Sequence, residues 1–366
     1  MDNEKRLAIA KARFEPLMNG DTEPSIGDLA ERFNISRNAV QPAIREAFRL
    51  RLIEVRVVDS DSRLLDEADY RVQSIEDELR SRFSVSSAIV VKTDEKTSDL
   101  VHRDLGYAMS REFHLLVRDG SVIGLGSGRG PYYAVTGLIR RPRIKARNVT
   151  LMSLTGAIFP KAHSETLNAI LDADYHTVLM GICFTEPLKS QRVIAYPITA
   201  QEVRTKTWLA GSQFRSHLPT LALVGLGVLR GQHKLAEVAN SNQPSGGLGP
   251  ILKDLKKLIS ISERYSDDRY CCIADICHHL FFVDPPADIA IARPDRKTMD
   301  ALIAGINERL LTLDENQIRR LGGLCIVAGT YQKKWAIREV LKRCSEGQLK
   351  IQTICIDEKT ASELIR

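Results

Sequence analysis

The stretch SVIGLGSGRG (121–130) runs from an apolar segment into glycines at 124, 126, 128 and 130. Glycine lets backbone N–H groups approach an anion closely, and a helix opening behind it adds a favourable field. A helix over about 132–139 supplies that opening. There is no Lys-Ser/Thr pair to make a nucleotide P-loop, and the spacing is a poor dinucleotide fingerprint. A second junction of the same kind is AGTYQKK (328–334). Here an apolar segment ends at Gly329 and Thr330, and Lys333 falls in the first turn of a helix expected over about 332–343, within reach of a phosphate. Lys334 is read as facing solvent. TLALVGLG and SLTG add glycine turns at Gly225, Gly227 and Gly156. Two strand–glycine–helix junctions on one sheet edge would converge on one anion. Taken alone, each serves equally as a tight strand-to-helix turn.

The segment CCIADICHHLFF (271–282) reads as an apolar helix carrying Asp275. That carboxylate is either a satisfied buried polar group or a binder of ligand hydroxyls. Adjacent His278 and His279 point apart on a helix, so no metal is expected, nor any cofactor. Cys271 and Cys272 are too close in sequence for a redox pair. The run RRPRIKAR (140–147) reads as a solvated basic loop, with a supplementary DNA or acidic-ligand contact as the minority reading.

Six arginines lie between Arg32 and Arg56 against Glu46 and Glu54. Ile26, Leu29, Ala30 and Phe33 recur on one helical face, Asn34 tolerates a left-handed turn, and Ser36 can cap a helix over about 36–50. Val40, Ile44, Ala47 and Phe48 give that helix its buried stripe, and LIEVRVV (52–58) alternates like a strand. Ala30, Asn34 and Val40 provide the close crossing, the turn and the packing residue of a helix-turn-helix. On this reading Ser36, Arg37, Asn38, Gln41 and Arg45 meet double-stranded DNA, with Arg37, Asn38 and Gln41 suited to base edges. Arg49, Arg51 and Arg56 would meet phosphates. Pro42, sixth in the helix, removes an internal hydrogen bond and is expected to kink it.

These groups need elements to position them. The 366 residues, 43% hydrophobic and 27% charged, suffice for two domains and a sizeable core. No apolar run is long enough to span a membrane, and the charged N-terminus lacks the apolar region of a secretory signal. Seven cysteines without a CxxC fit reduced thiols, and with them a cytoplasmic location. Residues 1–58 form the DNA-binding head. Residues 59–84 form a linker with a helix over about 70–83, its Val72, Ile75 and Leu79 stripe serving equally to cap the next domain or meet a second subunit. Residues 85–366 form a second, larger domain. Its apolar runs AIVV, SVIGLG, VTLMSLTG, RVIAYPI, TLALVGLG, GLCIVAG and IQTICID alternate with helical stretches, one over about 298–313. This predicts an α/β fold with a mostly parallel sheet, helices on both faces. SNQPSGGLGP (241–250) reads as a loop.

Together these motifs resemble the SorC family of bacterial transcription regulators over nearly the whole chain. LAERFNISRNAVQPAIREAFRLRLIEV resembles its DNA-binding head, and IEDELRSRFSVSSAIVV its linker and first strand. VIGLGSGRG, LVGLG, IADICHHLFFVD, IVAGTYQKKWAI and IQTICIDEKTASELI resemble successive motifs of its sugar-binding domain. The resemblance implies a Rossmann-like effector domain similar to ribose-5-phosphate isomerase and glucosamine-6-phosphate deaminase, a phosphorylated sugar or polyol as effector, and assembly as a dimer or tetramer. It implies ligand contacts from Gly124, Gly126, Ser127, Gly128, Arg129, Gly156 and Lys333, with Asp275 near the sugar hydroxyls. The chain departs from the family pattern at Gly130 (Thr), Ala274 (Gly), His278–His279 (Gly-Arg), Thr330 (Gly) and Pro42 (often Arg). A regulator without catalytic residues is the expectation. The alternative is a sugar-phosphate isomerase or deaminase carrying a DNA-binding head, with Asp275 as its base.

Overall fold

The computed structural model describes residues 2–18, 24–49, 70–93, 97–155, 173–192, 218–230, 235, 249–310 and 313–366. The chain divides into two compact units, Met1–Ser62 and Arg63–Arg366.

In the first unit, α1 (Asn3–Met18), α2 (Ile26–Arg32) and α3 (Arg37–Arg49) enclose a small core of Ile9, Leu29, Ala30, Val40 and Ile44. α2 starts at a capping box. The Asp28 N–H donates to Ser25 Oγ at 3.1 Å, and the Ser25 N–H donates to the Asp28 carboxylate at 2.9 Å. Asn34 turns the chain at φ 49°, and the Ile35 N–H bonds the Ala30 carbonyl at 3.0 Å. Ala30, Asn34 and Val40 thus hold the crossing, turn and packing positions their spacing predicts. α3 runs through the exposed Pro42 to Arg49. The strand expected over 52–58, with Arg51 and Arg56, lies outside the described residues.

The second unit begins with α4 (Gln73–Phe83), which packs on β1 (Ser87–Val91) through the fully buried Leu79. Glu76, also buried, takes Arg71 at 2.8 and 2.6 Å and the Val90 N–H at 2.9 Å, which ties the linker helix to the sheet edge. The other parallel strands are β2 (Val122–Leu125), β3 (Thr150–Ser153), β4 (Ser190–Arg192), β5 (Leu221–Val228), β8 (Leu324–Val327) and β9 (Ile351–Asp357). They lie in the order β1-β9-β8-β5-β2-β3-β4. The apolar runs are buried on both faces, as parallel strands between helix layers must be. Leu223, Cys325 and Cys355 point into one core with α5 (Ser98–Leu116) and α6 (Arg129–Ile139). Their neighbours Val224, Ile326 and Ile354 point into the other. After α7 (Ala173–Gly181), that second face is covered by α8 (Gly249–Glu263), α9 (Arg293–Arg309) and α11 (Lys334–Ser345). The short α10 (Glu315–Arg319) and the terminal α12 (Glu358–Ile365) complete the described helices.

Three expectations are corrected. Residues 271–282 form no helix but an antiparallel hairpin, β6 (Ile273–Ile276) and β7 (His279–Phe282), joined to the end of β5. Its two turn residues, Cys277 and His278, adopt φ 54° and 63°, a left-handed pair that hairpins usually give to Asn-Gly. Without that pair, the apolar run carries no hairpin signal. The helix expected over 298–313 is α9, starting at Arg293, and Gly249–Pro250, read as loop, already open α8. Proline is favoured in a first helical turn, so Pro294 and Pro250 fit the starts of these helices. Of RVIAYPI, Arg192 closes β4 and residues 193–198 lie outside the described set.

Candidate functional site

β2 and β8 are the two parallel neighbours of β5, so their carboxyl ends flank the end of β5 and the hairpin it carries. Sheet order alone therefore brings the two glycine junctions and Asp275 to one edge, where open α/β sheets bind ligands. The contact is tight. A Cβ on Gly130, in the first turn of α6, would sit 2.7 Å from Val327 Cγ1 and 3.0 Å from the Val327 carbonyl oxygen at the end of β8. Glycine is obligatory there, and the threonine of the SorC pattern has no room.

Gly126, Ser127 and Gly128 form the turn from β2 into α6. The Gly126 N–H donates to the Leu223 carbonyl at 2.9 Å, and Gly128 takes φ 115°. His176, fully buried on α7, supports the turn from beneath by donating from Nδ1 to the Gly126 carbonyl at 2.8 Å. Ser127 Oγ lies 3.1 Å from His278 Nε2 at the hairpin tip. Asp275, buried, accepts the His278 N–H at 2.8 Å, and its carboxylate stands 3.7 Å from His278 Nδ1. Arg129 pairs with Asp99 at 2.7 Å. Gly124 is placed differently from the turn residues. It lies inside β2, where a Cβ would strike Leu154 and Pro219, so it serves sheet packing. Gly156 lies outside the described residues.

At the second junction Thr330 takes φ 81°, held by its N–H bond to Asp357 Oδ2 at 2.8 Å. The other Asp357 oxygen accepts the Thr360 N–H at 2.9 Å and caps α12. Lys333 Nζ lies 3.2 Å from His102 Nε2. His102 Nδ1 faces the Ser98 carbonyl at 2.6 Å. A carbonyl can only accept, so Nδ1 carries the proton and Nε2 is left to accept from the ammonium. Burial, then the Lys333 charge, hold the His102 pKa down to about 3. Burial likewise lowers Lys333 to about 8, with Asp275 pulling it up, Arg129 pushing it down and Asp357 pulling it up. No carboxylate pairs with Lys333 among the described residues. Its neighbour corrects the reading as a solvent-facing lysine. The Lys334 side chain is 13% exposed, pairs with Glu363 at 3.3 Å and lies over the Tyr331 ring.

Sequence reading missed His102, His176 and Asp357, which hold the two junctions of the candidate site in place. The histidines sit in helices without a motif. Asp357 carries a signal, a carboxylate closing a strand three residues before Thr360, as in a helix cap. Among the described residues no group of His, Cys, Asp and Glu could hold a metal, and the seven cysteines are buried and form no disulfide. No described helix is long and apolar enough to cross a membrane.

On the first unit, Ser36, Arg37, Asn38 and Gln41 are exposed at the start of α3. The Arg37 guanidinium folds back beside Gly27 of α2, and its charge contributes to lowering the Asp28 pKa, behind the Ser25 hydrogen bonds. Arg45 and Arg49 lie on α3 with side chains outside the described set.

Residues 70–191 match a family described as "Putative sugar-binding domain". No curated protein matches the chain in sequence. Among solved structures, the full-length sorbitol operon regulator SorC from Klebsiella pneumoniae superposes with a TM-score of 0.56 at 15% identity, covering 100% of this chain and 99% of that one. A transcriptional regulator from Streptococcus pneumoniae TIGR4 gives 0.56 at 14% identity, covering 80% of this chain and 96% of that one. A DeoR family transcriptional regulator from Listeria monocytogenes gives 0.54 at 17%, covering 80% and 98%. At these identities the likeness is one of fold.

Proposed function

With residues 70–191 matching the sugar-binding domain family and the whole chain sharing the fold of a full-length SorC regulator, we propose that this protein is a transcription regulator controlled by a phosphorylated sugar or polyol. The first unit reads DNA through α3, with Arg37, Asn38 and Gln41 at base edges and Ser36 and Arg45 beside them. Two copies would place two such helices on the half-sites of a pseudo-palindrome. The effector binds where the β2 and β8 junctions meet, and shifts operator affinity by favouring one state of the protein. The solved proteins that share the fold are regulators, which favours this reading over the enzyme.

The observation that carries the effector's charge is Lys333. Its half-buried ammonium lies beside a neutral imidazole, with no carboxylate paired to it, and desolvation lowers its pKa to about 8. A partly desolvated cation without a counter-ion is costly, and an anionic ligand offsets that cost. The first turn of α6 stands across the same edge, an N-terminus suited to phosphate.

The test is a thermal-shift screen of sugar phosphates, polyol phosphates and their unphosphorylated counterparts, with Lys333→Ala beside the native protein. A ligand that binds the folded state raises its Tm. Phosphorylated compounds are expected to stabilise the native protein. Lys333→Ala is expected to weaken that binding about 10- to 100-fold, as loss of a charge-assisted hydrogen bond does. Stabilisation by unphosphorylated sugars alone, or equally in the variant, refutes the phosphate assignment.

A further inference from the structure

We propose that the amino edge of the β2–β3–β4 half of the sheet is a second binding surface for the phosphate backbone of duplex DNA. Three loops lead into these parallel strands and therefore emerge at one edge, opposite the glycine junctions. They carry the exposed Arg118, Arg143, Lys145, Arg147 and Lys189, against two exposed carboxylates, Asp119 and Glu186. None of the five cations forms an ion pair among the described residues. Some of the other basic side chains of this unit are held in ion pairs, while Lys253, Lys256, Lys257, Arg293, Lys297 and Lys350 are exposed without one on helices and turns away from these three loops. Arg269 pairs with Asp267 and Asp288, Arg296 with Asp300, Arg309 with Asp254, and Lys342 with Asp284.

The charge row is also held in place. Ile144 is 4% exposed and forms a parallel bridge with Phe184. Its N–H donates to the Cys183 carbonyl at 2.7 Å, and its carbonyl accepts the Thr185 N–H at 3.0 Å. His114 Nε2 donates to the Pro142 carbonyl at 3.0 Å, and the Gly120 N–H to the Arg147 carbonyl at 2.8 Å. The buried anchor at 144 sets an alternation in which Arg143, Lys145 and Arg147 are exposed. The loop thus presents three like charges close together in sequence on its exposed side. Asp119, the nearest acid in the row, is engaged by the Arg147 backbone N–H at 2.7 Å.

A cluster of exposed cations without ion pairs on an anchored loop is complementary to a polyanion. Duplex DNA is the polyanion already assigned to the first unit, and the proposal rests on that reading. Phosphate contacts of this kind position a protein without reading sequence. The competing occupant is a second copy of the chain, since Leu115 and Ile182, exposed apolar residues, border the row.

The experiment measures binding of the full chain to a fluorescein-labelled duplex of random sequence over a salt series. The native protein is compared with Arg143→Gln/Lys145→Gln/Arg147→Gln, with the charge-preserving Arg143→Lys/Arg147→Lys, and with the head variant Arg37→Ala/Asn38→Ala. Each neutralised phosphate contributes about 0.9 to the slope of log K against log salt, so the triple Gln variant should be shallower by about 2.7. The Lys variant should keep the native slope. An unchanged slope in the triple Gln variant overturns the proposal, even where the head variant loses binding and so upholds the head reading. Binding that survives the head substitutions but not the Gln substitutions overturns the head reading and supports this surface. A triple Gln variant with native slope but altered mass in sedimentation assigns the edge to a second copy and overturns the proposal.

Discussion

At the carboxyl edge of the sheet, Asp275, Asp357 and His102 are buried, and each spends its hydrogen bonds on the protein, on His278, on Thr330 and Thr360, and on Ser98 and Lys333. At the amino edge, Arg143, Lys145 and Arg147 stand in water without an ion pair among the described residues. Both regions belong to one parallel sheet, so the difference does not come from the strand type. It comes from where the solvent is. A charge taken out of water must be satisfied within the fold, and doing so fixes its geometry. A charge left in water can remain unsatisfied at little cost and stay available to a partner. The carboxyl edge is accordingly a shaped site, and the amino edge a field.

That contrast can be broken at graded strengths. Asp357→Ala removes the acceptor of two backbone N–H groups, one of which holds Thr330 at φ 81°. It should cost about 3 kcal/mol in urea unfolding, with Asp357→Asn, which keeps one acceptor, costing less. Gly130→Thr drives a side chain into Val327 and should cost about 2 kcal/mol, part of which Val327→Ala in the same chain returns. Full tolerance of Thr at 130 would mean that the two junctions do not meet as described.

Changes of pH separate stability from binding. His102 is neutral in the fold down to about pH 3 but takes a proton near 6.5 when unfolded, so its contribution is complete above 6.5 and is lost as pH falls below it. Lys333 has the opposite use. Below about pH 8 both folded and unfolded states carry its proton, and the burial penalty is fully present. Between 8 and its ordinary 10.5 the folded state releases the proton first, so stability rises with pH. Affinity for a phosphorylated ligand should fall over that same rise, as the ammonium is lost. Melting curves and ligand titrations from pH 6 to 9.5 check both signs. The smallest effect belongs to the amino edge, where Arg143→Gln/Lys145→Gln/Arg147→Gln should change stability by no more than about 0.5 kcal/mol, against its large expected effect on the salt slope.

Much of this architecture is legible locally. The α2–α3 arrangement follows from Ala30, Asn34 and Val40, because helical periodicity and a left-handed turn act over a few residues. The strands before Gly126 and Gly329 are legible for the same reason, since each is a short apolar run ending in a turn. The 271–282 hairpin is not. Its apolar residues suit either period, and its turn uses Cys277 and His278 where the usual signal is glycine. The site is legible in its glycines and in Lys333, and illegible in what holds them. His102 and Lys333 are 231 residues apart, and Ser127 and His278 are 151 apart.

By itself, then, the sequence determined most of the elements other than the 271–282 hairpin, the glycine turns at strand ends and the excess of positive charge, all properties of neighbouring residues and of composition. The tertiary structure decided which strands lie side by side. By placing β5 between β2 and β8 it made two separate turns one site, left no room for a side chain at Gly130, and set Lys333 against an imidazole instead of a carboxylate. Those outcomes depend on desolvation and steric contact between segments far apart in the chain, and no local pattern of residues encodes either.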